Sequence, residues 1–300
     1  MTVSVIIPTY NEENVILDCL ASLGEQTYDD FEIIVVEDGS GDKTVSRLES
    51  YGLRVTGLMK RTRNAKRATP KPIKLLIQNH KGPGAARNLG ASKAKGEILV
   101  FVDADMTFDK DFLNKLVEPI VMYQKGLPDG RQGTFSKEEY ISNWDNIWAR
   151  CWNINQNWPE RKRHPNNYPD EDKVFRAILK KEFDKVGGFT PGGYTDDYSL
   201  YDKLGYNSNA APGARFYHKN PSSLSEVFRQ ARWSGKRQYK FGAIGNLFAL
   251  VRVSLPVSLI IGLYKSIINF KLEFLIFKLI YDFGIFIGIL SYIFTGRGSK

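Results

Sequence analysis

The 300-residue chain is long enough to bury a substantial core, and its composition, 42% hydrophobic and 25% charged, is ordinary for a globular protein. Its two cysteines, Cys19 and Cys151, have no metal-ligand spacing, which excludes a disulfide framework and suits a reducing cytosolic setting. The net charge of +9 comes from residues 50–96, which hold twelve of the 42 Lys and Arg and no Asp or Glu, leaving 30 basic against 33 acidic residues elsewhere.

Strand and helix patterns alternate along the first 105 residues. Apolar, β-branched runs predict four strands, at Val3–Pro8, Phe31–Val36, Lys74–Gln78 and Glu97–Val102. Between them lie helical patterns, over Glu12–Gln26 with Asn11 as N-cap, Asp42–Tyr51 and Pro83–Ala94. The first strand begins almost at once, so we expect no signal peptide. This alternation predicts an α/β fold with a doubly wound parallel sheet.

The fourth predicted strand ends in two carboxylates, Asp103 and Asp105. Ligands of open α/β sheets collect beyond the carboxyl ends of such strands. Two neighbouring carboxylates repel each other unless a cation lies between them, and Mg²⁺ is usually held by one or two carboxylates together with substrate phosphates. The triplet therefore indicates a divalent-metal site, although a pair of solvated turn aspartates has the same sequence pattern.

Four of the five tryptophans lie within residues 144–158. Trp144, Trp148 and Trp152 are spaced by four, which on a helix makes one aromatic stripe. We expect this stripe to pack against the sheet. A platform for a sugar ring or for the membrane interface is the alternative.

The last part of the chain contains two apolar stretches of about 21 residues, each enough to span about 30 Å of hydrocarbon. Ala243–Leu263 carries only Arg252, and the second stretch, residues 274–294, carries only Lys278 and Asp282, which can pair on one helical face. Basic residues lie in the connecting loop and at both outer ends, so charge does not orient a hairpin. Membrane attachment is predicted, by either a transmembrane hairpin or helices lying in the interface.

Several motifs occur in one order along the chain: VSVIIPTYNEE from Val3, VVEDGSGDKT from Val35, GPGAARNLG from Gly82, and the DAD triplet. Together they resemble family 2 glycosyltransferases, strongly over residues 1–110 and more loosely over 175–235. The resemblance implies a GT-A fold, a Rossmann-like and mostly parallel sheet flanked by helices, followed here by a hydrophobic helical membrane-associated segment. It implies a nucleotide-sugar-binding half (1–110), an acceptor-binding half (111–235) and a membrane-associated tail (236–300).

The resemblance also implies the donor-binding residues, which are Pro8, Tyr10, Glu12, Asp38, Arg87, Asp103 and Asp105. Asp38 would contact the nucleobase beside Pro8 and Tyr10, with Glu12 in the same pocket. The amides after Gly82 and Gly84 would face an anion, with Arg87 one turn into the helix. Asp103 would contact the ribose or the metal. Asp105 would ligate Mg²⁺ or Mn²⁺, which neutralises the leaving nucleoside diphosphate.

Three further elements of the resemblance concern the reaction itself. Asp196 and Asp197 match a Glu-Asp pair in which the second acid is the general base of an inverting transfer, so Asp197 is the predicted base. His218 would complete the metal site with Asp103 and Asp105. The remaining predicted acceptor or diphosphate contacts are Asp196, Arg229, Arg232 and Trp233.

The first residue of that last element departs from the Gln-x-x-Arg-Trp pattern of polysaccharide-synthesising members, because Arg229 stands in the Gln position. Processive synthesis is therefore left open, together with single transfer.

These features predict an inverting, metal-dependent hexosyltransferase-like enzyme at the cell membrane, with its catalytic domain facing the cytoplasm. Its donor would be a nucleotide sugar, UDP-linked in preference and GDP-linked next, and its acceptor a lipid-linked or cell-surface glycan. A polyprenyl-phosphate sugar synthase is the nearest alternative enzyme, and a catalytically silent membrane scaffold is the alternative from another class. Membrane lipids are expected partners. Nucleic acid is not, because residues 50–96 offer only Tyr51 for base stacking.

Overall fold

The computed structural model describes residues 1–51, 73–191, 196–237, 239–296 and 298. They form two compact units, Met1–Glu139 with Tyr168–His218 (unit 1) and Tyr140–Asn167 with Lys219–Lys300 (unit 2). Residues 52–72, which carry seven of the twelve Lys and Arg of the basic segment 50–96, lie outside the described residues, as do residues 192–195 and two basic residues of the C-terminal end, Arg297 and Lys300. The three functional ranges 1–110, 111–235 and 236–300 stay predictions.

The chain contains eleven described strands. They are β1 (Val3–Thr9), β2 (Phe31–Glu37), β3 (Ile73–Ile77), β4 (Ile98–Phe101), β5 (Met106–Phe108), β6 (Gly133–Phe135), β7 (Glu139–Ile141), β8 (Glu171–Asp172), β9 (Ala177–Leu179), β10 (Ser208–Ala210) and β11 (Phe216–His218). Eight of them form one sheet in unit 1, in the order β3-β2-β1-β4-β9-β6-β10-β8. β5 and β11 pair antiparallel in a second sheet.

The described α-helices divide between the units. Unit 1 contains α1 (Ile16–Gly24), α2 (Thr44–Ser50), α3 (Pro83–Ser92), α4 (Phe112–Gln124), α6 (Lys180–Lys185) and α7 (Ser199–Leu204). The helix α5 (Ile147–Gln156) lies between α4 and α6 in the sequence but belongs to unit 2. The remaining helices of unit 2 are α8 (Leu224–Gly235), α9 (Gly242–Arg252), α10 (Leu255–Ile268) and α11 (Glu273–Thr295).

The parallel half of the sheet is as the alternation predicts. β1 pairs in parallel with β2 and β4, and β2 pairs with β3. Successive apolar residues point to opposite faces, so Val5 and Val100 pack in one core cluster and Ile6 and Phe101 in another. Residues of α1 and α4 belong to the first cluster and residues of α3 and α6 to the second. Helices thus cover both faces. β9 then runs antiparallel between β4 and β6, so the sheet is mixed beyond β4.

The start of α1 differs from the prediction. The helix begins at Ile16 rather than Glu12, and Asn11 is not its N-cap. Asn11 has φ 58°, a left-handed conformation that Asn tolerates, and its side chain accepts a hydrogen bond from the Gly41 N–H at 2.9 Å. This tie between the loops after β1 and β2 leaves Glu12 at the sheet edge instead of in a first helical turn.

The predicted aromatic stripe is wrong at one end. α5 begins at Ile147 because the asparagine before it caps the helix, so Trp144 lies outside α5. Trp152 is buried in a core cluster of unit 2. It meets α11 of the same unit edge-on, with its ring centroid 6.3 Å from that of Phe277 and 5.5 Å from that of Tyr281. The stripe is therefore part of the core of unit 2.

The apolar tail forms α9, α10 and α11. Among the described residues, α11 is the helix that is long and apolar enough to cross a membrane by itself, and α9 with α10 passes the same length and composition test only as a pair bent by 52°. Lys278 Nζ donates to Asp282 Oδ1 at 2.8 Å, which confirms the predicted pair, and Ser258 Oγ of α10 donates to Asp282 Oδ2 at 2.6 Å. Transmembrane hairpin and interfacial helices both stay predictions.

Within unit 2, α8 and α11 approach each other backbone to backbone through glycines. A Cβ on Gly288 would lie 2.3 Å from the carbonyl oxygen of Arg232, and one on Gly235 would lie 2.5 Å from that of Ile285. Real Cβ atoms do not come this close to backbone atoms. The spacing of the two helices therefore depends on these glycines.

We expect Gly288→Ala to lower the free energy of unfolding by about 1–3 kcal/mol, because the added methyl group must push α8 away from α11. Urea unfolding of the detergent-solubilised chain measures the change. Gly24→Ala is the matched control, since a Cβ there meets no atom within 4 Å. An unchanged midpoint for Gly288→Ala would show that the two helices separate without cost.

Candidate active site

Acidic side chains gather at one edge of the sheet. β1, β2 and β4 are adjacent and parallel, so the residues that follow them, Glu12, Asp38 and Asp103, lie at the same edge, with Asp105 two residues further on. This placement follows from the strand pattern, as the sequence predicts. The contacts of each carboxylate decide what it can do.

Asp103 is held by two arginines. Arg87 donates to its Oδ1 at 2.9 Å and Arg176 to its Oδ2 at 3.1 Å. Burial by itself would raise the pKa of Asp103, but the guanidinium groups of Arg176 and Arg87 outweigh it and hold the pKa well below its usual range. Asp103 is therefore a fixed anion whose two oxygens are already hydrogen-bonded, which favours Asp105 over Asp103 as a metal ligand.

Arg87 joins Asp103 to the predicted base. Its side chain is 6% exposed, and its second nitrogen forms an ion pair with Asp197, whose side chain is 45% exposed. The predicted contact between Arg87 and the donor diphosphate is less well supported, because its guanidinium group already bridges two carboxylates. The arginine instead fixes Asp197 relative to Asp103 at the end of β4.

Asp196 and Asp197 have different partners although they are adjacent. The buried Asp196 accepts a hydrogen bond from the Gly84 N–H at 3.0 Å, and a Cβ on Gly84 would lie 2.5 Å from that same oxygen. The amide near the start of α3 thus binds a carboxylate of the chain itself. This corrects the expectation that the Gly84 amide is free for a donor anion, and it gives Asp196 a structural contact rather than an exposed one.

Asp105 and His218 are the best-placed pair for a divalent metal. Asp105 Oδ2 lies 2.7 Å from His218 Nε2, and β11 brings the histidine there by pairing His218 with Met106 of β5. Among the described residues no group of three or more His, Cys, Asp or Glu is arranged as a complete metal site. A carboxylate and an imidazole still fit a cation whose other ligands are donor phosphate oxygens and water.

Glu12 lies beside the carboxylates of the sheet edge. Burial, together with the nearby carboxylates of Asp105 and Asp103, raises its pKa to about 8, with His218 acting in the opposite direction. A carboxyl group that resists ionisation beside other carboxylates marks a place where negative charge is crowded. Such a place attracts a cation. The donor set therefore fits Mg²⁺ or Mn²⁺.

The other predicted donor residues form a second group at the same edge. The ring of His80 stacks on exposed Tyr10 with centroids 4.0 Å apart, and its Nδ1 lies 3.0 Å from Asp38 Oδ2. Asp38 is buried and accepts hydrogen bonds from two main-chain N–H groups of the loop after β3, at 2.9 and 2.8 Å. Pro8 lies in β1 just before this group. The contact between Asp38 and a nucleobase stays a prediction.

The predicted Arg-Trp element lies in unit 2. Arg229, Arg232 and Trp233 are on α8, and Trp233 is 41% exposed. Their roles at a diphosphate or an acceptor sugar stay predictions.

The sequence reasoning missed Arg176 and His80. Arg176 directly precedes the buried strand β9, and a lone arginine before a short apolar run was the available signal. His80 precedes the Gly82–Gly84 turn, but only the fold brings it against Tyr10. Both residues act through partners that are distant in sequence, so spacing alone does not reveal them.

The sequence profile described as Glycosyl transferase family 2 matches residues 4–190. Glycosyltransferase GlyA of Streptococcus pneumoniae is 31% identical over 137 residues, which are 46% of this chain and 18% of GlyA. Poly(ribitol-phosphate) beta-N-acetylglucosaminyltransferase TarS of Staphylococcus aureus is 37% identical over 117 residues, 38% of this chain and 17% of TarS. The matched stretch thus spans less than a fifth of the length of these curated relatives.

Two solved structures show the same fold. Staphylococcus aureus TarS 1-349 in complex with UDP-GlcNAc has a TM-score of 0.55 and 16% identity, over 99% of this chain and 93% of that one. Mannosyltransferase PcManGT from Pyrobaculum calidifontis, in complex with GDP-Man and Mn²⁺, has a TM-score of 0.57 and 18% identity, over 98% of this chain and 87% of that one.

We expect Glu12→Gln to flatten the pH dependence of stability in the absence of divalent metal. The folded chain keeps the Glu12 proton up to about pH 8, whereas an unfolded chain loses it near the ordinary value of 4.5. The free energy of unfolding therefore falls as pH rises through this window, by roughly a few kcal/mol, and the glutamine removes that fall. Urea unfolding between about pH 5 and 8 measures it.

Glu13→Gln is the matched control, since the Glu13 carboxylate lies one residue away and accepts a hydrogen bond from the Lys43 N–H. A profile for Glu12→Gln as steep as that of the wild type would contradict the assignment of the raised pKa to Glu12.

Proposed function

The chain belongs to glycosyl transferase family 2, and we propose that it is an inverting, metal-dependent transferase that moves a sugar from a nucleotide-sugar donor to a glycan hydroxyl. One observation carries this proposal. Arg87 joins Asp103, two residues before the proposed metal ligand Asp105, to Asp197, so the acid suited to take a proton is tied to the same end of β4 that leads to the metal ligand.

The donor lies across the edge of the sheet in this proposal. The stacked Tyr10 and His80 rings, beside Asp38, offer a face and an acceptor to a nucleobase. Uridine is the favoured base and guanosine the next. Structures of the same fold bind UDP-GlcNAc and GDP-Man, which supports a donor of this chemical class.

The diphosphate end of the donor lies at the second group of acids. Asp105 and His218 would hold Mg²⁺ or Mn²⁺, which when bound neutralises the charge on the departing nucleoside diphosphate. Asp103 stays ionised and hydrogen-bonded to Arg87 and Arg176, so it supplies fixed negative charge beside that site. The Mn²⁺ in the PcManGT structure supports this choice of ion.

Asp197 is the proposed general base. It is half-exposed, which gives an acceptor hydroxyl access to its carboxylate, and Arg87 holds it in place. Asp197 takes the hydroxyl proton as the hydroxyl oxygen attacks the anomeric carbon from the face opposite the leaving diphosphate, so the configuration inverts. Processive and single transfer both agree with this chemistry.

The acceptor is proposed to be a lipid-linked or cell-surface glycan, reached at the cytoplasmic face of the cell membrane. TarS is named as a poly(ribitol-phosphate) beta-N-acetylglucosaminyltransferase, which supports a polymeric acceptor. The apolar tail supports membrane attachment, and the free cysteines Cys19 and Cys151 suit a reducing compartment. Arg229, Arg232 and Trp233 remain proposed contacts for the acceptor or diphosphate.

We expect Asp197→Asn to lower transfer by about 10²–10⁴-fold while nucleotide binding is kept, because only proton removal is lost. Asp105→Asn is expected to weaken metal-dependent donor binding instead. Nucleoside diphosphate release from a panel of UDP and GDP sugars, with Mn²⁺, Mg²⁺ or chelator and a glycan acceptor, measures the first effect, and calorimetry with donor measures the second.

Asp202→Asn, a neighbouring acid on α7, is the matched control for both variants. Full activity of Asp197→Asn with a polyprenyl phosphate would favour the polyprenyl-phosphate sugar synthase, whose acceptor is already an anion and needs no base. Failure of the wild type to bind any nucleotide sugar would refute the proposed function.

A further inference from the structure

His218 is contacted through both ring nitrogens by carboxylates. Its Nε2 lies 2.7 Å from Asp105 Oδ2, and its Nδ1 lies 2.8 Å from Glu139 Oε1. Nothing in the sequence motifs points to Glu139. The contact exists because β7 begins with Glu139 and β11 ends with His218, 79 residues further along the chain.

Both partners are well shielded from solvent. The side chain of Glu139 is 12% exposed and that of His218 is 16% exposed. A carboxylate buried to this extent needs hydrogen-bond donors, and the imidazole Nδ1–H is one. Glu139 also lies within electrostatic range of Arg176, whose positive charge it helps to stabilise after the larger effect of Asp103 and Asp197. The acid is therefore fixed within unit 1 and can fix the imidazole ring in turn.

We propose that Glu139 is a positioning residue for the metal site. It accepts the Nδ1–H of His218 and so would hold the ring with Nε2 toward Asp105, where a divalent cation would take the place of the Nε2 proton. A metal-bound histidine commonly donates its other ring N–H to a carboxylate, which sets the tautomer and the ring orientation. This inference rests on the metal dependence in the proposed function and adds to it a residue that does not itself touch the ion.

A purely structural role for Glu139 makes a different prediction. If the carboxylate served only to stabilise the fold of unit 1 around His218, its loss would lower the thermal midpoint and leave the metal affinity of the folded chain unchanged. The two roles therefore separate in a direct measurement of metal binding, without reference to catalysis.

The experiment titrates the full, detergent-solubilised chain with Mn²⁺ in the presence of saturating UDP. Calorimetry and the electron paramagnetic resonance signal of free Mn²⁺ both measure the Mn²⁺ affinity. We expect Glu139→Leu to weaken Mn²⁺ binding by about 10–100-fold, and Glu139→Gln, which keeps an acceptor oxygen, to recover part of the loss. Glu118→Leu, which removes an exposed acid of α4, is the control and keeps wild-type affinity. Thermal melting shows that each variant is folded.

A second measurement needs no Glu139 variant. The chain has three histidines, so the ring ¹⁵N signals of His218 can be identified by their loss in His218→Gln. With Mg²⁺ and UDP bound, we expect a protonated Nδ1 and an unprotonated Nε2.

Wild-type Mn²⁺ affinity in folded Glu139→Leu, or a protonated Nε2 in the Mg²⁺-bound chain, would overturn the inference while leaving the glycosyltransferase function intact. Absence of Mn²⁺ binding by the wild type with UDP bound would overturn both the inference and the metal dependence. Sugar transfer measured with the donor panel in chelator would then show separately whether the enzyme activity stands.

Discussion

The candidate site depends on one ion-pair network, the partly buried carboxylate of Asp103 shared between Arg87 and Arg176. Charged groups that are withdrawn from water are costly unless they are paired, above all the buried guanidinium group of Arg87. Together they keep their charges, and Arg87 has a nitrogen left for Asp197. This network connects the end of β4, helix α3, the residue before β9 and the turn before α7, so four separate parts of the chain are held in one arrangement.

The distribution of charge around this network is uneven. Asp103 is paired with two arginines, whereas burial and the nearby carboxylates of Asp105 and Asp103 raise the pKa of Glu12 against the opposing effect of His218. One side of the sheet edge is therefore balanced by the chain itself, and the other side carries an excess of negative charge. That imbalance is the physical reason why a divalent cation is expected beside Asp105 and His218, and not beside Asp103.

In two places a glycine allows another part of the chain to approach its backbone closely. Gly84 lets the Asp196 carboxylate reach an amide near the start of α3, and Gly288 lets α8 approach α11 until a Cβ would overlap a carbonyl oxygen. In both places a side chain would separate the two segments. The first contact leaves neighbouring Asp197 directed to Arg87, and the second packs α8, which carries the Arg-Trp element, directly against α11.

The sequence alone determined the elements whose signal is local. Strands β1–β4 follow from short apolar runs, and their parallel arrangement places Glu12, Asp38 and Asp103 at one edge. The sequence predicted that α1 starts directly after Asn11, whereas it starts at Ile16. The sequence could not show this, because the side chain of Asn11 is bonded to Gly41, 30 residues away, instead of capping the helix. Likewise only the tertiary structure showed that Arg87 binds Asp197, that Arg176 shares Asp103 and that Glu139 contacts His218. Sequence patterns report which residues share a strand or a helical face, whereas ion pairs between distant segments depend on where folding brings their charged atoms.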